Sequence, residues 1–380
     1  MDKKKILIFI DWYLPGYKAG GPIQSVSNLV DHLKEGFDIA IITRDTDYSE
    51  SQPYENIKSN KWILLDTVRI YYISKQELNY STIYKLMRDE SFDYVYLNGI
   101  YSLYFTLIPL FILRKKQHQH IVIAARGMLS PGSLNVKKTK KQLFLRMIKM
   151  ARLFSGITFH ASTETEKKEI QEIMGNKVTI KTAGNLPSFK KKWNVPERVK
   201  VPGTLHLVNI ARIAPEKNLL LALKILQLVK TTVKFDFYGP VYDTAYWEKC
   251  KEVMAALPAN VTAMYKGSVA SNHVVNVLEG AHFLFMPTSG ENFGHIILQS
   301  LSTGCPVIIS DQTPWKKLEH ENCGWDIPLT QLDEYAGIID RANKMDQVEF
   351  NALSRSALAY ATKYMNDPKT LIDNKALFSG

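Results

Sequence analysis

Cysteine is scarce in this sequence, which excludes the protein classes that depend on it for structure. The 380 residues include three cysteines, Cys250, Cys305 and Cys323, and no two of them form a Cys-x-x-Cys pair. An odd count without such a pair predicts neither a disulfide framework nor a cysteine zinc site. We expect three buried thiols in a reducing compartment.

Long apolar runs are also missing. The longest uncharged apolar-rich run covers residues 101–113 and contains Pro109, whereas about 20 residues are needed to span a bilayer. At the start of the chain only Ile6 to Ile10 are apolar before Asp11, which is too short for the core of a signal peptide. We therefore predict a cytoplasmic protein without a transmembrane helix.

Acidic residues are absent from one long stretch. Residues 101–150 contain ten basic residues and no acidic one. Residues 1–200 hold 32 Lys and Arg against 19 Asp and Glu, whereas residues 201–380 hold 16 against 18, so the first half supplies the whole net charge of +11. This imbalance predicts an anionic partner for the first half. Nucleic acid is not predicted, because no binding motif or interleaving of basic and aromatic residues accompanies the charge.

A basic amphipathic helix is predicted over residues 137–154. At about 100° per residue, one side carries Lys140, Leu143, Phe144, Met147, Met150, Ala151 and Phe154. The other side carries Lys138, Lys141, Arg146, Lys149 and Arg152. Two interpretations stay open: peripheral docking on an anionic membrane surface, or a surface helix packed on the protein's own core with a solvated basic face.

Short apolar runs alternate with helical patterns along the whole chain, which is typical of parallel sheets covered by helices. The predicted strands are Lys4 to Ile10, Phe37 to Thr43, Asp93 to Asn98, His120 to Ala125, Leu205 to Ile210, Val233 to Tyr238, His282 to Pro287 and Pro306 to Ser310. A Pro- and Lys-rich stretch, 185–203, predicts a linker near residue 190. We predict an α/β protein with two doubly wound, Rossmann-like domains that face each other across a ligand-binding cleft.

Three loops carry the residue types that bind a phosphorylated ligand. Gly20 and Gly21 precede a helix predicted from Ile23 to Leu33, and adjacent glycines before a helix N-terminus favour phosphate. After the first strand of the second half, Arg212 and Lys217 are close enough in sequence to reach one diphosphate. After a later strand, Ser289–Gly294 (Ser-Gly-Glu-Asn-Phe-Gly) presents a carboxylate for sugar hydroxyls and backbone amides for phosphate.

These features together resemble one enzyme family. They are the Arg212-x4-Lys217 pair, the Ser289–Gly294 motif, a helix ending in Ser302–Ile308, and the Gly20-Gly21 loop. The set is similar to that of the family 4 retaining glycosyltransferases, and the likeness spans nearly the whole chain. It implies the two-domain B-type glycosyltransferase fold.

The resemblance also implies roles for particular residues. A nucleotide-diphospho-sugar, with UDP as the expected nucleotide, would bind to a C-terminal domain of residues 189–360. The acceptor would bind to an N-terminal domain of residues 1–188, onto which a C-terminal helix, 361–380, would cross back. The catalytic residues would be Glu291, which contacts the transferred sugar, and Arg212 and Lys217, which neutralise the leaving diphosphate. The donor-binding residues would be Gly21, Gly267, Val269, Asn292, Phe293, Gly294 and Gln299.

One position departs from the family pattern. The family has a second Glu eight residues after the first, commonly paired with ribose hydroxyls, and this sequence has Gln299 there. A neutral amide accepts a hydrogen bond less strongly than a carboxylate, by about 1 kcal/mol. We therefore expect weaker donor affinity without a loss of the transfer chemistry.

Further residues are assigned to the acceptor or the cleft from their places after strands. They are Gly20, Arg126 and His160, and Arg126 occupies the region where many relatives carry a cleft histidine. Each has the alternative of a structural role. Asp45-Thr46-Asp47 matches the metal-binding Asp-x-Asp of single-domain glycosyltransferases, but loop aspartates are usually solvated, and no metal or other cofactor is predicted.

We therefore predict a retaining hexosyltransferase that acts on a saccharide or on a polyprenyl-diphosphate-linked saccharide in bacterial surface polysaccharide biosynthesis, such as that of O-antigen. The basic first half favours an acceptor at the inner face of the cytoplasmic membrane. Two alternatives stay open: a sugar-nucleotide-binding protein without turnover, which Gln299 motivates, and a non-hydrolysing sugar-nucleotide epimerase of the same fold.

Overall fold

A computed structural model describes residues 3–89, 91–114, 120–135, 138–188 and 198–379. The basic residues Lys115, Lys116 and Lys137, and residues 189–197 of the predicted linker, lie outside these ranges. The chain divides into two compact units. The first unit consists of Met1–Phe189 and Asp367–Gly380, and the second of Lys190–Asn366.

The first unit is built on a mostly parallel sheet flanked by helices. Its strands are β1 (Lys5–Phe9), β2 (Asp38–Arg44), β3 (Trp62–Leu65), β4 (Val68–Ile73), β5 (Tyr94–Asn98), β6 (His120–Ala124), β7 (Thr158–Ala161) and β8 (Thr179–Thr182). Its first helices are α1 (Gly21–Leu33), α2 (Tyr80–Arg88), α3 (Ile108–Leu113), α4 (Pro131–Asn135), α5 (Lys138–Met150) and α6 (Glu164–Met174). A π-helical segment, Leu103–Leu107, leads into α3.

The strand order in this sheet shows where the chain reverses direction across it. Among the described residues the order is β3-β4-β2-β1-β5-β6-β7-β8. All pairs are parallel except β3 with β4, which form an antiparallel edge that the sequence analysis did not predict. From β1 the chain builds one side of the sheet through β2 and β4, and from β5 it builds the other. The switch point therefore lies between β1 and β5.

The continuous apolar runs of this sheet are explained by burial on both faces. In β1, Leu7 and Phe9 belong to one hydrophobic cluster, whereas Ile6 and Ile8 belong to another. Side chains of a strand alternate between the two faces, so each face of the sheet has its own layer of helices. The helices of one layer include α5, which contributes Leu145 to the first cluster.

The second unit repeats this architecture with a six-stranded parallel sheet in the described part of the chain. Its strands are β9 (His206–Ile210), β10 (Val233–Tyr238), β11 (Val261–Tyr265), β12 (Phe283–Met286), β13 (Val307–Ser310) and β14 (Gly324–Ile327). Its helices are α7 (Leu219–Leu226), α8 (Thr244–Ala255), α9 (Val274–Glu279), α10 (His295–Ser302), α11 (Leu332–Lys344) and α12 (Gln347–Met365). The strand order is β11-β10-β9-β12-β13-β14, so the switch point lies between β9 and β12. The two parallel-sheet units confirm the predicted fold class.

The last helix, α13 (Pro368–Ala376), belongs to the first unit although it follows α12 directly. Asn374 Nδ2 donates to the Gly184 carbonyl at 2.7 Å. Phe378 then packs against Phe37 and Tyr94 with ring centroids 5.8 and 5.7 Å apart. These contacts hold the end of the chain on the first unit. None of the helices in the described ranges is both long and apolar enough to cross a bilayer.

Candidate functional site

The switch point of the second unit gathers the loops that carry the predicted catalytic residues. Arg212 and Lys217 follow β9, whereas Glu291 follows β12, and these two strands are neighbours in the sheet. Loops that leave the carboxyl ends of parallel strands meet at one edge of the sheet, and a switch point leaves a crevice between them. Lys217 and Glu291, which are 74 positions apart in the sequence, are thereby brought into contact.

Hydrogen bonds fix these two loops to each other. The carbonyl of Glu216 accepts from the Ser289 N–H and from the Thr288 hydroxyl, each at 3.0 Å. Asn218 Nδ2 donates to the Pro287 carbonyl, also at 3.0 Å. Asn218 adopts a left-handed conformation with φ 60°, which Asn tolerates better than most residues. The short 3-10 turn Pro215–Lys217 is thus held against the loop after β12.

Lys217 and Glu291 form an ion pair across the two loops. Lys217 Nζ lies 2.5 Å from Glu291 Oε1, and both side chains are largely buried. The Glu291 N–H donates to the carbonyl of Gln312 at 3.0 Å, so the loop after β13 also positions the carboxylate. An ammonium has three donors and a carboxylate about four acceptor sites, so each partner keeps capacity for a ligand.

Arg212 lies in a different setting from Lys217. Its guanidinium is half-buried, pairs with Glu216 at 3.3 Å and stands over the ring of Tyr242 at 5.1 Å from the centroid. Neither partner was identified from the sequence. The i, i+4 spacing of Arg212 and Glu216 was visible, but only the fold shows that they lie on one side of the turn. The ring and the carboxylate orient a guanidinium that still presents N–H groups to an anion.

At the carboxyl-terminal edge of this sheet, the backbone after β10 can approach the backbone after β9 because residue 239 is a glycine. Gly239, which follows β10, has φ 147°, and a Cβ there would lie 1.8 Å from the Ala211 carbonyl oxygen. Its N–H donates to the Gly267 carbonyl at 2.9 Å. Gly267 itself has φ 76° with open space on its Cβ side. The segment that contains the predicted donor-binding residues Gly267 and Val269 therefore lies beside the Arg212 loop, and Gly239 is a further residue at this edge that was not predicted from the sequence.

The segment before α10 is held by packing and by a hydrogen bond through Phe293. Phe293 is buried against Trp315 and Tyr364, and its carbonyl accepts from Trp315 Nε1 at 2.6 Å. Gly294 has φ 78° and precedes the helix without a side-chain cap. The amides at the start of α10 are thus not covered by a capping side chain. Gln299 lies half-buried on this helix.

In the first unit, Gly20 and Gly21 are at the start of α1 as predicted. Gly20 has φ 72° and nothing within 4 Å of its Cβ position. The preceding turn is held by Asp47, whose carboxylate accepts from the N–H groups of Tyr17 and Lys18 at 2.9 and 3.2 Å. The hydrogen bonds of the Asp47 carboxylate therefore have a structural role, since they hold this turn in place. Asp45 accepts from the Ser59 hydroxyl at 2.8 Å.

Arg126, which is half-buried, and His160, which is buried, belong to one hydrogen-bond network. Arg126 donates to Asn98 Oδ1 at 2.8 Å, to Asn185 Oδ1 at 2.7 Å and to the Tyr96 hydroxyl at 2.7 Å. The Tyr96 hydroxyl lies 2.8 Å from His160 Nδ1.

The other nitrogen of His160, Nε2, is also occupied, lying 2.8 Å from the Ala183 carbonyl. A carbonyl requires Nε2 to carry the proton, so Nδ1 accepts from Tyr96. Burial, with the nearby charge of Arg126, lowers the pKa of His160 to about 3. His160 is therefore neutral at physiological pH, and both of its nitrogens are used in holding Tyr96 and the β8 region rather than being presented to a ligand.

A polar cluster that the sequence analysis missed lies at the switch point of the first unit. Asp11, which follows β1, accepts from the Ser102 hydroxyl at 2.9 Å and lies 3.4 Å from Arg44 Nη2. Both contacts use Oδ1, and Oδ2 has no hydrogen-bond partner in the described ranges. Burial raises the pKa of Asp11. Only the sheet order could reveal this cluster, because its three residues lie at the carboxyl ends of β1, β2 and β5, which are far apart in sequence.

Possible metal ligands do not come together in the part of the chain that the structure describes: no three His, Cys, Asp or Glu side chains are grouped there. The three cysteines are buried and unpaired with one another.

Comparisons with known proteins connect this geometry to a family. Residues 191–357 match the family described as glycosyl transferases group 1. A comparison with curated protein sequences found no match.

Similarity to solved structures extends over the whole chain. Sucrose-phosphate synthase from Thermosynechococcus elongatus superposes with a TM-score of 0.72 at 14% identity, covering 99% of this chain and 98% of that one. HepE from Anabaena in complex with UDP-glucose gives a TM-score of 0.71 at 14% identity, covering 98% of both chains. The trehalose-6-phosphate synthase OtsA gives a TM-score of 0.72 at 10% identity, covering 99% of this chain and 98% of that one. At such low identity these likenesses show the fold, which is the two-domain GT-B fold of glycosyltransferases.

Proposed function

We propose that the protein is a retaining glycosyltransferase using a nucleotide-diphospho-sugar, because residues 191–357 match the glycosyl transferases group 1 model and the chain has the GT-B fold. The observation that carries the proposal is the Lys217–Glu291 ion pair beside Arg212 at the switch point of the second unit. It combines two cations for a diphosphate with one carboxylate for sugar hydroxyls. UDP is the proposed nucleotide, since HepE is solved with UDP-glucose.

The ion pair explains how sugar and phosphate are bound side by side. Lys217 keeps two N–H donors beyond its contact with Glu291, and these can bind a phosphate oxygen. Glu291 keeps its second oxygen for a sugar hydroxyl. Because Lys217 holds the carboxylate in place before the donor arrives, little reorganisation is needed on binding.

Departure of the diphosphate is the step in which charge develops. Arg212 presents a planar set of donors and Lys217 a compact charge, so together they stabilise the leaving phosphate oxygens. The acceptor hydroxyl attacks from the side on which the diphosphate leaves, forming the new glycosidic bond while the sugar–phosphate bond breaks. The hydroxyl proton passes to the departing diphosphate, and the anomeric configuration is retained.

The acceptor is proposed to bind to the first unit, at the cluster formed by Asp11, Ser102 and Arg44. Asp11 Oδ2 can accept from an acceptor hydroxyl while Oδ1 stays bound to Ser102. We propose a hexosyl transfer to a saccharide or a polyprenyl-diphosphate-linked saccharide in surface polysaccharide biosynthesis, at the cytoplasmic face of the membrane. The basic charge of residues 101–150 supports an acceptor in an anionic surface.

Donor binding is tested by thermal shift with a panel of nucleotide diphosphates and nucleotide sugars, in EDTA. A ligand at 100 times its Kd adds about 2.7 kcal/mol, which raises the Tm by about 5–10 °C. We expect this shift with UDP and its loss in Arg212→Ala and Lys217→Ala. Lys224→Ala, an exposed lysine on α7, is the matched control and should keep it. A normal shift in both site variants, or no shift with any nucleotide, would refute the donor site.

Acceptor binding is tested by the kinetics of Asp11→Asn. We expect the KM for the acceptor to rise about tenfold, because a charged hydrogen bond contributes about 1.5–3 kcal/mol, while the KM for the donor stays unchanged. Asp38→Asn, on β2 at the opposite edge of the same sheet, is the control. An equal rise in both KM values would assign Asp11 to folding instead. NMR of the product determines whether the anomeric configuration of the transferred sugar is retained. Incubation with the donor alone tests for epimerisation, because an epimerase needs no acceptor whereas a transferase does.

A further inference from the structure

Helix α5 buries a different side from the one its sequence pattern indicates. Leu145 and Ile148 are buried in the core of the first unit. Phe144 is half-buried, with its ring centroid 5.2 Å from that of Tyr101. Lys141, which was predicted on the basic solvated side, donates to the Ser133 carbonyl at 2.6 Å and lies over the Tyr101 ring. These contacts fix the rotation of the helix about its axis.

The opposite side of α5 presents apolar side chains to solvent. Leu143, Met147 and Met150 are 58%, 49% and 78% exposed. They have i, i+4 and i+7 spacing, so they form one continuous stripe along the helix. At about 100° per residue, this stripe points roughly away from Leu145 and Ile148. We call Leu143, Met147 and Met150 the outer stripe.

Basic residues border the outer stripe on both sides. At about 100° per residue, Lys140 lies about 60° to one side of Leu143 and Arg146 about 60° to the other, with Lys149 beyond Arg146. All three are exposed. Residues 101–150 contain no acidic side chain to neutralise them. Such a surface is complementary to an anionic bilayer, because its apolar centre can reach the acyl chains while its cationic borders contact the lipid phosphates above them.

A second copy of the chain fits this surface less well than a membrane does. Dimers usually have a two-fold axis, so the same patch would contact itself. Lys140 and Arg146 would then face their own copies, with no acid in the stretch to compensate. The charge therefore favours lipid over self-association.

We propose that α5 docks the first unit on an anionic bilayer by inserting the outer stripe among the acyl chains, with Lys140, Arg146 and Lys149 at the lipid phosphates. This deepens the proposed function by naming the element that holds the protein at a membrane-bound acceptor. It concerns lipid binding alone and does not depend on the donor chemistry.

The test is cosedimentation of the full-length protein, without donor, with vesicles of phosphatidylcholine containing 30% phosphatidylglycerol. We expect binding that weakens with salt and is lost in pure phosphatidylcholine. Leu143→Gln/Met147→Gln/Met150→Gln should weaken binding at least tenfold. Lys140→Gln/Arg146→Gln should weaken it roughly fivefold per charge removed. Transfer to a soluble acceptor should stay unchanged in both variants, which separates a failure of docking from a failure of the transferase.

Matched controls come from exposed residues elsewhere. Leu64→Gln/Leu65→Gln removes an exposed apolar pair from β3 of the same unit. Lys249→Gln/Lys251→Gln removes two exposed charges from α8 of the second unit. Both controls should bind vesicles like the unsubstituted protein. Equal loss in the controls, or unchanged binding in the stripe variant, would overturn the proposal. So would light scattering that shows a dimer abolished by the stripe substitutions without any vesicle binding.

Insertion itself is measured with a polarity-sensitive fluorophore on Met147→Cys. The three native cysteines are buried, so labelling is directed to the introduced thiol. Anionic vesicles should shift the emission to the blue and protect it from an aqueous quencher, whereas a label on Leu64→Cys should stay unaffected. Binding to vesicles without a blue shift at position 147 would show that α5 is not inserted.

Discussion

At the residue scale, the proposed donor site depends on groups that compensate one another before any ligand binds. Lys217 and Glu291 are paired at 2.5 Å in largely buried positions. Removing Lys217 therefore costs more than a phosphate contact, because it leaves the Glu291 carboxylate without its cation. Both residues were identified from the sequence, but their pairing was not.

Gln299 is the residue at which the sequence departs from the family pattern. Gln299→Glu should tighten UDP binding about fivefold, because a carboxylate accepts from a ribose hydroxyl more strongly than an amide, by about 1 kcal/mol. Isothermal titration calorimetry measures this. Gln299→Ala is the control and should bind UDP no more tightly than the unsubstituted protein. If Gln299→Glu binds UDP equally or more weakly, residue 299 does not contact the ribose.

The same variant also addresses the alternative of a binding protein without turnover. If the unsubstituted protein binds UDP-sugars but neither transfers nor hydrolyses them, and Gln299→Glu gains activity, that alternative is supported. Transfer by the unsubstituted protein would exclude it.

At the element scale, α6 carries an acidic cluster with unequal roles. Glu166 accepts from the Gly127 N–H at 2.6 Å and from the Ser162 N–H at 2.7 Å, which holds the loop after Arg126. One turn further along, burial raises the pKa of Glu169 from 4.5 to about 7, and the charges of Glu166 and Glu172 add to the effect. The Glu166 carboxylate therefore anchors a loop, whereas its charge helps to raise the pKa of Glu169.

Glu169 should make stability depend on pH. Its pKa is higher in the folded state than in the unfolded chain, so the folded state holds an extra proton between pH 4.5 and about 7. The contribution of protonated Glu169 to the free energy of unfolding is therefore fully present below pH 4.5 and is lost as the pH rises through about 7. Glu169→Gln should therefore raise the free energy of unfolding at pH 8 by about 1 kcal/mol, allowing for partial solvent screening, and change it little at pH 4.

Urea denaturation at the two pH values measures this difference. Glu252→Gln, on α8 and exposed, is the control and should have no effect at either pH. Equal stabilisation by Glu169→Gln at pH 4 and pH 8 would contradict the assignment to a raised pKa.

The rotation of α5 about its axis is set by its packing on neighbouring elements. The sequence pattern predicted a helix over residues 137–154, close to the observed α5, but it placed the apolar side on Leu143 and Met147. Leu145 and Ile148, rather than Leu143 and Met147, entered the core because Lys141, Phe144 and Tyr101 fix the orientation. Periodicity alone could not choose, since apolar residues occur on both sides of the helix.

At the scale of the whole molecule, the two units have different charge and different proposed partners. Hydrogen exchange measured by mass spectrometry on the full chain should show UDP protecting backbone amides in 211–218, 239–242, 266–269 and 287–298. Protection at Gly20–Ile23 is also expected if Gly21 contacts the donor as the family resemblance implies. The segments of the first unit around Asp11 and Ser102 should stay unchanged until an acceptor is added.

Arg212→Ala provides the control for this experiment, since weakened binding should reduce protection in all of these segments together. Protection confined to the first unit would contradict the assignment of the donor to the second.

The fold class, eight of the strands and the catalytic candidates could be predicted without coordinates. Apolar runs, turn residues and the spacing of Arg212, Lys217 and Glu291 are local properties, so they can be interpreted without coordinates. Which distant groups meet could be seen only in the folded chain. The Asp11–Ser102–Arg44 cluster, the close approach at Gly239 and the enclosure of His160 all depend on strand order and on backbone packing. Contacts between residues far apart in the chain are set by the sheet, and no local pattern encodes them.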